Sequence, residues 1–180
     1  MFLLYIKRMD KKTILRKNAK DIRKTLDIVN VSAKIRENLV AHSFYKNSKD
    51  IMIFYPTKYE VNLLDLVENS RKNFFLPRVN GLELEVCEFS NSTELKKSEF
   101  NIFEPTSNPV SPSVLDLVIV PALMVDKRGY RLGYGGGFYD RFLAKYGKSF
   151  KSIVVIPECL FVGELPIDKY DQKVDDIVLG

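Results

Sequence analysis

The sequence predicts an α/β protein with three layers, in which a mostly parallel central sheet is flanked by helices on both faces. Two observations predict this class. Short apolar runs at 51–55, 116–121 and 152–156 are typical of strands buried on both faces. Segments with apolar residues at helical spacing lie between them, so strands and helices alternate along the chain.

The size and composition indicate one domain over residues 1–180. With 180 residues, 46% of them hydrophobic and 28% charged, the chain is long enough to bury a core. The two cysteines, Cys87 and Cys159, form no CxxC pair. This excludes a structural zinc site, indicates no disulfide framework, and favours a reducing cytoplasm.

The N-terminus is not typical of a targeting segment. Its apolar run at 2–6 is too short for a signal peptide, and the charges of Lys7 and Arg8 follow the run instead of preceding it. No apolar stretch reaches the length of a membrane span. We expect translation to start at Met9, which would leave residues 1–8 as a disordered or non-native extension outside the fold.

The net charge of +5 is unevenly distributed. Residues 1–50 hold 13 Lys and Arg against 5 Asp and Glu, whereas residues 51–180 hold 15 against 18. A basic arm on a mildly acidic body favours an anionic partner, either nucleic acid or a polyanionic small molecule. A solvated helix face is an equally good interpretation.

The basic part of the chain predicts two helices. In the first, residues 11–26, an apolar face is formed by Leu15, Ala19, Ile22 and Leu26. A neighbouring face carries Lys12, Arg16 and Lys20 at i, i+4 spacing, so their charged ends can converge. The second helix would be capped by Asn30 or Ser32 and reach Tyr45. His42 lies in it, where we expect a hydrogen-bonded helix residue and no catalytic role.

Residues 51–179 also carry patterns typical of strands, helices and connections. The predicted elements are a strand at 51–55 ended by Pro56, a helix at 61–69, strands at 74–76 and 82–89, a long surface connection at 90–113, a strand at 116–121, a helix at 138–146, and strands at 152–156 and 177–179.

The most informative segment is residues 129–141, which holds five of the nine glycines. It follows the predicted strand at 116–121 and precedes the helix at 138–146. Backbone N–H groups of glycines can converge on phosphate oxygens, and a helix N-terminus adds partial positive charge. Arg131 suits phosphate and Asp140 suits Mg²⁺.

The known phosphate loops do not match this segment. A dinucleotide fingerprint that starts at Gly133 needs glycine where Phe138 stands, and none of the five glycines in this segment is followed by the Lys-Ser/Thr pair of a Walker A loop. The predicted fold is therefore Rossmann-like without the dinucleotide fingerprint. A plain tight turn is the alternative interpretation of the glycines.

Several patches in order resemble the 5-formyltetrahydrofolate cyclo-ligase family, also called 5,10-methenyltetrahydrofolate synthetases. The matching pieces are K12-TILR, P56-TKYE, L76-PRV, E104-P, D116-LVIVP, G129-YRLGYGGGFYDR and D171-QKVD. The glycine block is highly specific, and the resemblance runs from Lys12 to Val178. It implies ATP- and Mg²⁺-dependent closure of 5-formyltetrahydrofolate to 5,10-methenyltetrahydrofolate, through phosphorylation of the formyl oxygen and attack by N10.

The resemblance also implies site residues. ATP would be bound by Lys12, Arg16, Arg131, Leu132, Gly133, Tyr134, Gly135, Gly136, Gly137, Phe138 and Tyr139. The reduced folate would be bound by Tyr55, Glu60, Tyr134, Gly135, Gly136, Gly137 and Phe138. Asp140 and Asp171 match the Mg²⁺ positions, and Arg131 and Tyr139 are the expected catalytic residues.

The resemblance further implies a cytoplasmic enzyme, which we expect to be a monomer, with ATP and a reduced folate, with or without a polyglutamate tail, as partners, and with neither nucleic acid nor membrane. Two departures affect the pocket: Phe138 stands where the family commonly has tyrosine, and Leu160 where it has glutamine. The alternatives are a basic nucleic-acid-binding module, which leaves the glycine segment unexplained, and an ATP-binding relative without folate turnover.

Overall fold

The structure is a computed structural model that describes residues 2–68 and 71–180, with side chains from residue 11 onward in the first helix. The helices are α1 (Phe2–Thr25), α2 (Ile28–Ala41), α3 (Ser43–Asn47), α4 (Asp65–Glu68) and α5 (Phe138–Tyr146). The strands are β1 (Asp50–Met52), β2 (Asn73–Asn80), β3 (Glu83–Phe89), β4 (Leu95–Lys97), β5 (Phe103–Pro105), β6 (Pro109–Val110), β7 (Leu117–Val120), β8 (Met124–Asp126), β9 (Arg131–Leu132), β10 (Lys151–Ile156), β11 (Phe161–Val162) and β12 (Asp176–Leu179).

The central sheet has seven strands in the order β12-β10-β7-β1-β2-β3-β6. The first five are mutually parallel, and β3 and β6 add two antiparallel strands at one edge. A small sheet of β11, β8 and β9 and a hairpin of β4 and β5 lie outside it. The predicted α/β class with a mostly parallel sheet is confirmed.

The sheet separates two apolar cores. In β7, Val118 and Val120 face the core that includes α5, whereas Leu117 and Ile119 face the core that includes α2. The same alternation occurs in β10. Strands with apolar residues on both faces must be covered on both faces, which explains why the apolar runs indicated a layered fold. Ala19 of α1 is fully buried in the α5 core.

The helices differ from the predictions at their ends. Asp27 caps α2 and accepts a hydrogen bond from the Asn30 amide, so the cap lies earlier than expected. Ser32 is buried and donates to the Ile28 carbonyl. The long second helix is divided at His42, whose Nδ1 accepts from the Phe44 amide and so begins α3. His42 is hydrogen-bonded, as expected, but it lies between the two helices as a cap with extended backbone and not within one helix.

Three other segments also differ from the elements predicted from the sequence. The strand expected at 51–55 ends at Met52, although the Ile53 amide still donates to the Phe75 carbonyl. The helix expected at 61–69 shortens to α4, because buried Val61 and Leu63 pack into the core from backbone that is not helical; Asn69 lies outside the described residues. The connection at 90–113 contains β4, β5 and β6.

Within the described residues, no helix is long and apolar enough to span a membrane. Cys87 is buried and Cys159 is exposed, and both are free thiols. The backbone of α1 begins at Phe2, but the side chains of residues 2–10 are outside the description, so the proposed extension at 1–8 stays a prediction.

Candidate functional site

One face of α1 carries four basic side chains at steps of four, four and three residues: Lys12, Arg16, Lys20 and Arg23. This spacing places them along one line of the helix surface. Lys12 contacts the C-terminal segment, Arg16 and Lys20 contact residues 133 and 134, and Arg23 contacts the turn before residue 60. This face of α1 therefore lies along the site.

Arg16 and Lys20 contact the glycine loop, which we define as residues 133–137. Arg16 Nε donates to the Gly133 carbonyl at 3.0 Å, and a Cβ on Gly135 would lie 3.6 Å from the guanidinium carbon. The Lys20 ammonium lies 5.9 Å from the ring centroid of Tyr134. The loop is therefore flanked by two cations from α1.

The glycine loop needs its glycines for conformation and for close contact. Gly135 and Gly137 have φ of 115° and 69°, a region that favours glycine. A Cβ on Gly136 would lie 2.6 Å from the Phe138 ring. Gly137 is the N-cap of α5, and no described side chain caps this helix. The first N–H groups of α5 therefore remain for an anion.

The sequence predicted the order of a strand, the glycine segment and a helix, and the structure adds the β8–β9 hairpin between the strand and the loop. The hairpin turn is held by Asp126, which is fully buried and accepts from the amides of Arg128 and Tyr130. The loop thus starts from β9, whose Leu132 is buried in the α5 core.

Arg131 joins three segments from a buried position. Its side chain is 3% exposed and donates to Asp140 Oδ1 at 3.0 Å and to the Gln172 carbonyl at 3.0 Å. Burial lowers the pKa of Arg131, and the Asp140 carboxylate opposes that effect. These contacts fix the start of α5 against the C-terminal segment.

Lys12 binds two carboxylates of that C-terminal segment. Its ammonium lies 2.7 Å from Asp168 Oδ2 and 2.6 Å from Asp171 Oδ2. Burial by itself would lower the pKa of Lys12, but the hydrogen bonds to both carboxylates outweigh it and raise the pKa. Lys12 is therefore charged at neutral pH, and it joins α1 to the C-terminal segment.

Asp140 and Asp171 lie around the same part of the site. The Gln172 amide donates to Asp140 Oδ1 at 3.0 Å, so Asp140 contacts the residue that follows Asp171. The negative charges of both carboxylates act to raise the pKa of Arg131. Each makes its contacts with described residues through one oxygen, so the second can face a cation. Such a pair suits Mg²⁺ completed by phosphate oxygens and water. No cluster of three or more metal-binding side chains exists among the described residues.

Glu60 brings a buried carboxylate to the glycine loop. It is 6% exposed, and it accepts from the Thr57 amide at 2.8 Å and from the Tyr134 hydroxyl at 2.5 Å. Burial raises the pKa of Tyr134, and the negative charge of Glu60 raises it further. Tyr134 therefore stays protonated and donates to the carboxylate.

Tyr139 places a hydroxyl in the same region without a partner. Its oxygen is buried and has no hydrogen bond with any described residue. Burial raises the pKa of Tyr139, the Glu60 charge adds to this effect, and Arg131 opposes it. A neutral donor thus lies within electrostatic reach of Glu60 and Arg131.

Two aromatic residues of the β4–β5 hairpin pack against predicted site residues. Phe100 packs edge-on against Phe138 with ring centroids 5.6 Å apart, and Phe103 packs against Tyr55 at 5.3 Å. Phe100 and Phe103 are 47% and 39% exposed, so apolar ring surface remains accessible. Both come from the β4–β5 hairpin, which the sequence suggested was a plain connection.

The structure therefore brings together the residues that the sequence singled out on α1, in the glycine loop, at Glu60 and near the C-terminus. Sequence reasoning missed Arg23, Asp168, Phe100 and Phe103. Arg23 could have been found by extending the basic face of α1 by one step. The other three carry no local signal, because their role depends on contacts with distant segments.

Fold and site together define an α/β enzyme in which a glycine loop at a helix N-terminus adjoins a buried carboxylate. Comparison with known proteins shows which family of α/β enzymes the chain belongs to. The family model described as the 5-formyltetrahydrofolate cyclo-ligase family matches residues 8–180. The chain belongs to this family, and the protein is an enzyme of the ligase class.

Individual relatives and a solved structure with names of this family are similar to the chain. The 5-formyltetrahydrofolate cyclo-ligase of Haemophilus influenzae is 30% identical over 75% of this chain and 78% of its own length. The mouse enzyme is 30% identical over 82% of this chain and 81% of its own. The solution structure of 5,10-methenyltetrahydrofolate synthetase from Aquifex aeolicus is 32% identical, superposes with a TM-score of 0.80, and covers 93% of this chain and 89% of that one.

Proposed function

We propose that the protein closes 5-formyltetrahydrofolate to 5,10-methenyltetrahydrofolate in an ATP- and Mg²⁺-dependent reaction that releases ADP and phosphate. The observation that carries the proposal is the hydrogen bond between the Tyr134 hydroxyl and Glu60. It joins the glycine loop to the carboxylate that the family resemblance assigns to folate, so a phosphate donor and a folate bound at these two places would be neighbours.

The nucleotide phosphates would lie on the glycine loop and the N-terminus of α5. The uncapped N–H groups of α5 and the nearby charges of Arg16 and Lys20 support this placement. Lys12 would contribute from the other side of the site. The basic face of α1 contacts the site, which favours a small polyanion over nucleic acid as its partner.

The folate would lie between Glu60 and the aromatic pairs. One Glu60 oxygen could accept from the donor edge of a pterin, since a carboxylate binds paired N–H donors well. Tyr55 and Phe138, with Phe103 and Phe100 packed against them, offer flat apolar walls. The glutamate part, with or without a polyglutamate tail, would extend toward basic residues of the N-terminal half.

Asp140 and Asp171 would hold Mg²⁺, which neutralises charge on the phosphates of a bound nucleotide. Arg131 orients Asp140 by a direct hydrogen bond, and it keeps the start of α5 next to residue 172. The two acidic side chains would otherwise repel each other and the incoming phosphates. The positive charge of buried Arg131 offsets that repulsion from the position that it already occupies.

The chemistry needs activation of a poor leaving group. Transfer of the γ-phosphoryl group to the formyl oxygen produces ADP, and attack of N10 on the activated carbon then expels phosphate while N10 loses its proton. Protein groups chiefly position the reactants and offset charge in such transfers. Tyr139, a neutral buried donor without a partner among described residues, is suited to donate to an oxygen that gains charge.

The decisive experiment is an absorbance assay for the methenyl product with and without ATP. ATP-dependent product supports the proposal, and its absence with a folded protein contradicts it. Melting with Mg-ATP, with 5-formyltetrahydrofolate and with an oligonucleotide separates the alternatives. Stabilisation by both small molecules is expected; stabilisation by ATP alone indicates a relative without folate turnover, and by the oligonucleotide alone a nucleic-acid-binding module. A monomeric, cytoplasmic enzyme is part of the proposal.

A further inference from the structure

Arg23 is a buried cation that donates hydrogen bonds to two backbone carbonyls. The residue is 3% exposed, and its guanidinium donates to the Tyr59 carbonyl at 3.1 Å and to the Ala122 carbonyl at 2.5 Å. None of the ion pairs among the described residues involves Arg23, and its buried Nε has no partner there. A buried charge without a counter-ion is costly, so its position requires a reason.

The first carbonyl belongs to the peptide unit that joins Tyr59 to Glu60. The N–H of the same unit donates to the Thr57 carbonyl at 3.1 Å, and the Glu60 side chain returns to the Thr57 amide. Arg23 therefore fixes one end of a peptide unit whose other end closes the turn. Because hydrogen bonds in series polarise one another, the Arg23 contact strengthens the turn that aims Glu60.

The second carbonyl belongs to the segment that leads to the glycine loop. Ala122 is followed by Leu123, whose amide donates to the Leu132 carbonyl at 2.7 Å, directly before the loop. Arg23 thus spans from the Glu60 turn to the base of the β8–β9 hairpin. The planar guanidinium offers several donors in a rigid fork, which a lysine ammonium cannot reproduce.

Arg23 also lies near the hydrogen bond that joins Tyr134 of the glycine loop to Glu60. Burial and Glu60 raise the pKa of the Tyr134 hydroxyl, and the Arg23 charge acts in the opposite direction, so the guanidinium lies within electrostatic reach of the hydroxyl that binds Glu60. The same helix carries Lys12 and Arg16 toward the C-terminal segment and the loop.

We propose that Arg23 is a positioning residue that sets the distance between the Glu60 carboxylate and the glycine loop, and thereby determines folate affinity without touching the folate. The inference rests on the proposed function for the identity of the ligand. Its structural part, the fixing of the Glu60 turn by Arg23, does not depend on that ligand.

The test compares Arg23→Met and Arg23→Lys with Arg36→Met. Arg36 is the matched control, because it donates to the Asn62 carbonyl at 2.9 Å from α2 and so holds the chain two residues beyond Glu60. Amide hydrogen exchange at Glu60 should accelerate about tenfold in Arg23→Met and little in Arg36→Met. Calorimetric Kd for 5-formyltetrahydrofolate without ATP should rise about tenfold in Arg23→Met, with Kd for ATP changed less than about threefold. Arg23→Lys, which keeps the charge, should recover part of the loss.

A double-mutant cycle with Glu60→Gln shows whether the effect passes through Glu60. The loss of folate affinity caused by Arg23→Met should shrink in the Glu60→Gln background. Unchanged exchange at Glu60, unchanged folate Kd, additive losses, or equal loss of ATP and folate binding would each overturn the proposal. A wild-type protein that does not bind 5-formyltetrahydrofolate refutes the proposed function, while the exchange measurement still decides whether Arg23 holds the turn.

Discussion

The ammonium group of Lys12 lies 2.6 Å from Oδ2 of Asp171, although the two residues are 159 positions apart in the chain. This ion pair ties α1 to the C-terminal segment next to Asp140. Since Asp168 shares the same ammonium, Lys12 holds together two carboxylates that would otherwise repel each other. The cation that we propose binds ATP therefore also joins α1 to the C-terminal segment.

The change Lys12→Met should weaken ATP binding about tenfold and lower the free energy of unfolding by about 1–2 kcal/mol. The physical reason is that Asp168 and Asp171 keep their charges but lose their common partner. Calorimetric ATP titration and thermal melting measure the two effects. Lys11→Met, at an exposed neighbouring position, is the control and should change neither. If adding Asp168→Asn to Lys12→Met restores no stability, the repulsion argument is wrong.

Glu60→Gln should weaken 5-formyltetrahydrofolate binding about tenfold or more and leave ATP binding nearly unchanged. The amide replaces one acceptor oxygen with a donor, so Glu60 can no longer accept from Thr57, from Tyr134 and from the ligand at once. Separate Kd values for the two ligands check this. Tyr134→Phe removes one donor and should have a smaller effect. Equal losses of both ligands in Glu60→Gln would indicate a purely structural role.

The single changes Asp140→Asn and Asp171→Asn should each raise the Mg²⁺ concentration needed for activity by about tenfold or more, with a smaller effect on folate affinity. Each removes one anionic ligand from the same cation. The double variant should show less than the sum of the two effects, because its second change acts on a site already broken. Mg²⁺ titrations of all three variants measure this. Wild-type metal dependence in both single variants contradicts a shared site.

Gly136→Val should reduce activity about tenfold or more while the protein remains folded. A Cβ at this position would lie 2.6 Å from the Phe138 ring, so the ring must leave its contact with Phe100. Gly163→Val is the matched control, because a Cβ there meets nothing within 4 Å. Steady-state kinetics and melting are measured on both. Equal effects of the two valines would show that the loop tolerates a side chain.

Asp126→Asn should lower the free energy of unfolding at pH 7 by about 2–3 kcal/mol. Burial alone would raise the pKa of Asp126, but hydrogen bonds from the Leu165 amide and from Arg128 outweigh it and lower the pKa. The carboxylate therefore contributes stability above its unfolded pKa of 3.8, and loses it as pH falls through the lower folded value.

The difference between wild type and Asp126→Asn should accordingly be constant from pH 5 to pH 8 and narrow below pH 3.8. Urea unfolding at several pH values measures it. Glu164→Gln is the control, since exposed Glu164 contacts the same Arg128 and should contribute almost nothing. A difference that widens in acid would contradict the assigned direction of the pKa shift.

Local patterns in the sequence predicted the parts of the fold that depend on local chemistry. Two of the apolar runs became β7 and β10, because the central residues of strands buried on both faces are apolar on both sides. Helix α5 runs over the predicted residues, since its apolar spacing and the preceding glycines are both local signals. The family resemblance implied a folate contact for Glu60 and Mg²⁺ positions for Asp140 and Asp171, because each matches a position of the family's motifs.

The sequence by itself determined the layered α/β class, the glycine loop and the family. Only the tertiary structure decided which distant groups meet: Lys12 with Asp171, Glu60 with Tyr134, and Arg23 with the carbonyls of Tyr59 and Ala122. Periodicity reports which side of an element is buried, but it does not report which residue of another element lies opposite. A carbonyl acceptor, moreover, carries no residue identity, so contacts such as those of Arg23 leave no trace in the amino-acid pattern of their partners.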